Sequence, residues 1–160
     1  MTYLFGTFIQ NNVKNSQYGS YESQLFIKPA NDEMKKEFDN TETILNNLNS
    51  YAKSNNMKLT IVIIPLNYQV DNKQKQIFIK NNFNKNQQYE MEQPQKVIKE
   101  WAKKNNIFVV DLGPELSRIN NTDYLYWKLN GHFNAKGNEK VAEIIYNGLL
   151  NHPNLISRNK

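Results

Sequence analysis

The chain reads as an α/β protein in which parallel strands are layered between helices, and two observations carry that reading. Two short runs, residues 58–65 and 107–112, are almost unbroken in β-branched and apolar residues. That is the composition of strands buried on both faces, not the alternation of a half-exposed strand. Each run follows an amphipathic helical pattern that stops at an Asn-Asn pair, and a third such pattern closes the chain. The order helix, strand, helix, strand, helix defines a layered fold with right-handed crossovers.

The elements follow in order. Residues 1–9 are apolar and aromatic, too short to span a bilayer and in need of a surface to bury against. From Gln10 to Ser23 the composition turns polar and predicts a loop or arm. After Leu25-Phe26-Ile27 and Pro29, a long helix is predicted from Asn31 or Asp32, with Met34, Phe38, Thr41, Leu45, Leu48 and Ala52 on one face. Asn55-Asn56 ends it and the first strand follows. Residues 67–92 are polar, with a short helix over 72–81 inside a loop that crosses the sheet edge. Pro94 sits where the first residue of a helix belongs, and Val97, Ile98, Trp101 and Ala102 form that helix's inner face up to Asn105-Asn106. Asp111 then ends the second strand, where open α/β sheets place their sites, although an Asp there also commonly bonds its own turn at Gly113-Pro114. A short aromatic strand, Tyr124-Leu-Tyr-Trp127, leads through a loop into a last helix over 135–150. Asn134 is its expected cap, and Val141, Ile144, Ile145 and Leu149 face inward.

The 160 residues (18.8 kDa) suffice for one real core. We expect an N-terminal arm over 1–30, an α/β region over 31–150 and a tail over 151–160. With no Cys and two His, a disulfide frame, a thiolate site and a multi-histidine metal site are excluded, and no cofactor is implied. The net charge of +5 is dispersed among Asn and Glu, as on a solvated surface, so nucleic acid is not an expected partner. No run is long enough for a membrane span, and the first residues lack the pattern of a signal segment. Compartment and oligomeric state are not legible.

The residues that carry chemistry lie in Asn130-Gly131-His132-Phe133-Asn134-Ala135-Lys136-Gly137. His132 stands on a connection between a strand and a helix, a place where rigid elements present reactive groups. On residues alone, a partly buried His that donates one hydrogen bond and does nothing else is the commoner case. The stretch resembles the C-terminal signature of the SGNH (GDSL-type) hydrolase and acetyltransferase superfamily, which in some branches reads Asp-Gly-His-Trp/Phe-Asn-x-x-Gly before a closing helix. The resemblance extends upstream to residues 61–65 with Tyr68-Gln69-Val70, to Pro94-Gln95, and to Val109-Val110-Asp111-Leu112, roughly the last two-thirds of the chain.

The resemblance implies a flavodoxin-like three-layer α/β/α sheet of about five parallel strands, of which the two runs here are the fourth and fifth: the C-terminal half of an SGNH-type domain. It also implies that His132 is the general base for a Ser nucleophile, with Asn130 in the position of the Asp that steadies the imidazole. Tyr68, Gln69, Trp127 and Phe133 are the matching candidates for contact with substrate. Two departures matter. An amide cannot stabilise an imidazolium as a carboxylate does, and the same exchange in a serine protease costs about four orders of magnitude in turnover. The Gly-Asp-Ser motif of the nucleophile is missing from the sequence, and Gly19-Ser20 sits in a polar stretch with no strand before it.

Two doubly buried strands do not make a stable sheet alone, so something else must cover their edges. Residues 3–9 or 23–27 are internal candidates; a second copy or a missing N-terminal half are external ones. Three functional classes follow. One is an esterase or O-acetyl-transfer scaffold for acylated carbohydrate or lipid, lacking its nucleophile. Another is a non-catalytic module that binds through Tyr124, Tyr126, Trp127 and Phe133. The third is a basic nucleic-acid binder, which would require salt-dependent binding.

Overall fold

The computed structural model describes residues 21–119, 122–127, 131–152 and 155. A single helical turn α1 (Tyr21–Gln24) precedes the long helix α2 (Asp32–Ser54), which leads into β1 (Thr60–Ile63). The short α3 (Asn67–Val70) and α4 (Asn72–Asn82) follow, then α5 (Gln93–Lys104), β2 (Phe108–Asp111), the short α6 (Gly113–Ser117), a 3-10 turn over Thr122–Leu125, and α7 (Ala135–Leu150).

β1 and β2 are adjacent and parallel, with Thr60 opposite Phe108 and Ile63 opposite Asp111. Side chains alternate across a strand, so the pair has two apolar faces. On one, Ile61, Ile63 and Val109 pack with Leu45 of α2 and with Ile98, Trp101 and Ala102 of α5. On the other, Val62, Phe108 and Val110 pack with Val70 of α3, Leu116 of α6, and Val141, Ile144 and Ile145 of α7. This is a mixed helix-and-strand, three-layer arrangement around a small parallel sheet, an incomplete α/β fold. Burying one such aliphatic or aromatic side chain contributes about 1.5–3 kcal/mol; among the described residues the two clusters therefore hold helices from both sides onto two strands.

The helix ends explain how the chain enters the sheet. Asn31 caps α2 by accepting from the Met34 N–H at 2.8 Å, as Asn134 caps α7 through the Gly137 N–H at 3.0 Å. At the other end of α2, Asn56 takes φ +54°, and the Met57 N–H returns to the Ala52 carbonyl at 2.8 Å. α5 ends identically: Asn106 has φ +55°, and the Ile107 N–H reaches the Ala102 carbonyl at 2.8 Å. Both are Schellman turns with Asn in the left-handed position, where its short polar side chain is tolerated.

Several expectations need correction. The strands are shorter than the apolar runs, because the chain leaves the ladder before Pro65, which has no N–H to donate. Leu48, expected inside, is 43% exposed; the inner line of α2 runs through Met34, Leu45, Asn49 and Ala52 instead. Pro94 is the second residue of α5, not the first. Tyr124-Leu-Tyr-Trp127 is not a strand: a 3-10 turn runs into a single antiparallel bridge, Tyr126 to Phe133. Residues 23–27 do not cover β1, for Ile27 bridges Tyr89 while Phe26 buries its ring edge-on against Tyr68 and Phe78. The other proposed cover, residues 3–9, and Gly19-Ser20 lie outside the described residues.

Candidate functional site

The His132 loop is a tight hairpin. The Trp127 N–H donates to the His132 carbonyl at 2.7 Å, and the Gly131 N–H donates back to the Trp127 carbonyl at 3.2 Å. Closing it puts Gly131 at φ +66°, a conformation glycine adopts without steric cost. A side chain added at Gly131 would start 3.9 Å from the Asn67 amide group. The loop therefore lies beside the segment that leaves the carboxyl end of β1. His132 is exposed. Asn130 lies outside the described residues.

The rest of the motif anchors the loop. Asn134 uses its whole amide: Oδ1 caps α7, and Nδ2 donates to the Tyr124 carbonyl at 2.6 Å and the Tyr126 carbonyl at 3.3 Å. Its own N–H donates to the Leu125 carbonyl at 2.9 Å. Gly137 then passes so close that a Cβ there would stand 2.1 Å from that same carbonyl oxygen and 2.9 Å from the Phe133 ring. The Gly of the motif is thus a packing requirement, since backbone cannot yield as a flexible side chain can. Phe133 lies tilted against Tyr126 with ring centres 4.6 Å apart. The Tyr126 hydroxyl is buried without a partner, and that burial pushes its ionisation well above the usual phenol range.

The candidate contact residues divide. Trp127 and Phe133 share the hairpin with His132, Trp127 exposed and Phe133 half-buried. Tyr68 and Gln69 belong to α3, on the same helical turn as the Asn67 that meets Gly131. The Tyr68 ring stacks on Phe78 at 3.9 Å and its hydroxyl donates to Glu22 at 3.3 Å. Burial first, and then the nearby carboxylate, raise its ionisation far above the usual value. Gln69 bonds the Leu66 N–H at 3.0 Å and the Met91 carbonyl at 2.6 Å, tying α3 to the chain before α5.

A pocket of about 240 Å³ opens at the carboxyl ends of the strands, between Pro65, α3, the start of α5 and Gly113-Pro114. Asp111 lies in its wall, its Oδ1 accepting the Gly113 N–H at 3.0 Å and its Oδ2 pairing with Lys99 at 2.8 Å. The turn-bonding role expected for Asp111 is present, together with an ion pair that the sequence did not announce. Gln95 and Lys99 were not read as site residues. Their signal was their spacing, since Gln95, Ile98, Lys99 and Ala102 recur at three- and four-residue steps along one side of α5. Among the described residues no cluster of three or more His, Asp or Glu is placed to hold a metal ion, and no helix is long and apolar enough to cross a membrane.

Helices on both faces of a parallel pair, with the polar groups gathered where the strands end, define an open α/β protein of the kind that binds ligands at the strand carboxyl termini. The family model of the GDSL-like Lipase/Acylhydrolase matches residues 4–145, and the chain belongs to that family. No curated protein and no solved structure matches it.

Proposed function

We propose that this chain is an acyl-ester hydrolase or O-acetyl-transfer scaffold that carries the base, His132, but not the serine nucleophile, and that it is inactive by itself. The observation that supports the base role is the position of His132. It is exposed where its carbonyl closes a hairpin that is pinned by Asn134 and Gly131 and lies next to the exit of β1. A general base works only within hydrogen-bond reach of the group it deprotonates, and the chain offers no Gly-Asp-Ser string to supply that group. Asn130 further weakens the imidazolium that proton transfer would create. Acylated carbohydrate or lipid is the substrate class in view, with the missing nucleophile supplied from outside these 160 residues. Hydrolysis of p-nitrophenyl acetate tests the reading: wild type, His132→Ala and Asn130→Asp should all stay at the uncatalysed rate. Turnover by wild type that disappears in His132→Ala would overturn the missing nucleophile and direct the search to another serine.

A further inference from the structure

The pocket between β1, α5 and α6 has a polar wall that the His132 chemistry does not use. Gln95, only 9% exposed, lines it, and its Oε1 is buried with no donor. Rotation about the last side-chain bond exchanges the two ends of an amide, so a group that can both donate and accept satisfies Gln95 in either orientation. A hydroxyl does both without bringing a charge; an ammonium only donates, and a phosphate, which keeps an O–H at neutral pH, brings negative charge. Charge narrows the choice further. Lys99 is held by Asp111, and Glu92 adds a second carboxylate to the lining. A bound anion would face two carboxylates against one ammonium, and a cation seated on Asp111 would have to displace Lys99 from its ion pair. Ser117 supplies one more hydroxyl, and the pocket's volume of about 240 Å³ suits a compact ligand.

We propose that this pocket binds a neutral polyhydroxylated ring, a sugar, through Gln95, Lys99 and Glu92. Binding requires no hydrolysis, so the site stands or falls separately from the acyl-ester reading. The test is a titration of the full chain with methyl β-glucopyranoside, inorganic phosphate and butylamine, followed through the side-chain amide resonances of Gln95 and by calorimetry. The glucoside should move the Gln95 resonances and the other two should not. Gln95→Leu, close in size and without the amide, should weaken glucoside binding by on the order of tenfold. Lys99→Met should weaken it as well, and serves alone if Gln95→Leu does not fold. Tyr146→Ala, at an exposed position of α7 away from the pocket, should leave affinity unchanged. Absence of glucoside binding, a response to phosphate or butylamine instead, or unchanged affinity in the pocket variants that fold, would each overturn the proposal.

Discussion

Two helix-to-strand units make the body of the molecule, α2 into β1 and α5 into β2, and they leave their helices by the same device. Asn55 Nδ2 donates to the Tyr51 carbonyl at 2.8 Å and Asn105 Nδ2 to the Trp101 carbonyl at 2.9 Å; Asn56 and Asn106 both turn left-handed. The turns are 50 positions apart, yet Thr60 pairs with Phe108, 48 positions on. The difference of two is even, so each strand still turns its odd residues, Ile61, Ile63 and Val109, toward α2 and α5. Beyond the turns the units diverge. α5 buries Trp101 to 3% exposure and carries Gln95 and Lys99 at the strand rim, whereas α2 leaves Ile44, Leu48 and Tyr51 in solvent. One unit builds both core and pocket, and the other is scaffold with an uncovered side.

The largest expected effect comes from breaking the link between them. Trp101 fills the shared cluster, and its indole N–H donates to Asn46 of α2 at 2.8 Å. Trp101→Ala should cost about 3–5 kcal/mol. Leu45→Ala, which removes less volume from the same cluster, should cost about 2 kcal/mol or more. Urea unfolding curves check both. Equal losses, or a smaller one for Trp101, would mean that α5 is not the element the core depends on.

A smaller effect sharpens the likeness. Asn56→Ala and Asn106→Ala each force a Cβ residue without Asn's local bonding into the left-handed region, at a cost of about 1–2 kcal/mol. Thermal unfolding of the two variants should therefore agree within about 0.5 kcal/mol, despite their distance in sequence. A wide gap would show that the strand that follows, and not the turn, sets the cost.

This likeness also marks what the sequence makes legible. The helix ends, the parallel pair and the last helix could be read because Asn-Asn stops, β-branched runs and three- to four-residue spacing are local signals. Leu48 was misplaced because its helical spacing fits either side of a stripe, and only the position of the sheet decides between them. The short α3 and α6 passed as loop because single turns carry no periodicity. Around the motif, the place of His132 on the connection before α7 and the cap Asn134 could be read from their words, whereas the Lys99 to Asp111 pair and the orphaned Gln95 depend on α5 lying over the strand ends. The role of Gly137 is likewise set by the passage of Leu125, twelve residues earlier in the chain.

The smallest expected effect on stability concerns the uncovered side of α2. Ile44, Leu48 and Tyr51 follow one another at steps of four and three, with exposures of 57%, 43% and 62%. Among the described residues neither outer edge of the two-stranded sheet is paired to a further strand. Open β-branched edges and apolar stripes template association, so we expect them to be covered by residues 1–9 or by a second copy. Leu48→Lys touches no core contact and should alter unfolding free energy by no more than about 0.5 kcal/mol. Size-exclusion chromatography separates the covers. Deleting residues 1–9 should drive aggregation or a change of oligomeric state if the arm is the cover. Leu48→Lys should shift a dimer toward monomer if a second copy is. A soluble monomer that neither change disturbs would show that α2 tolerates its exposed stripe unaided, and the contrast with α5 would then be one of packing alone.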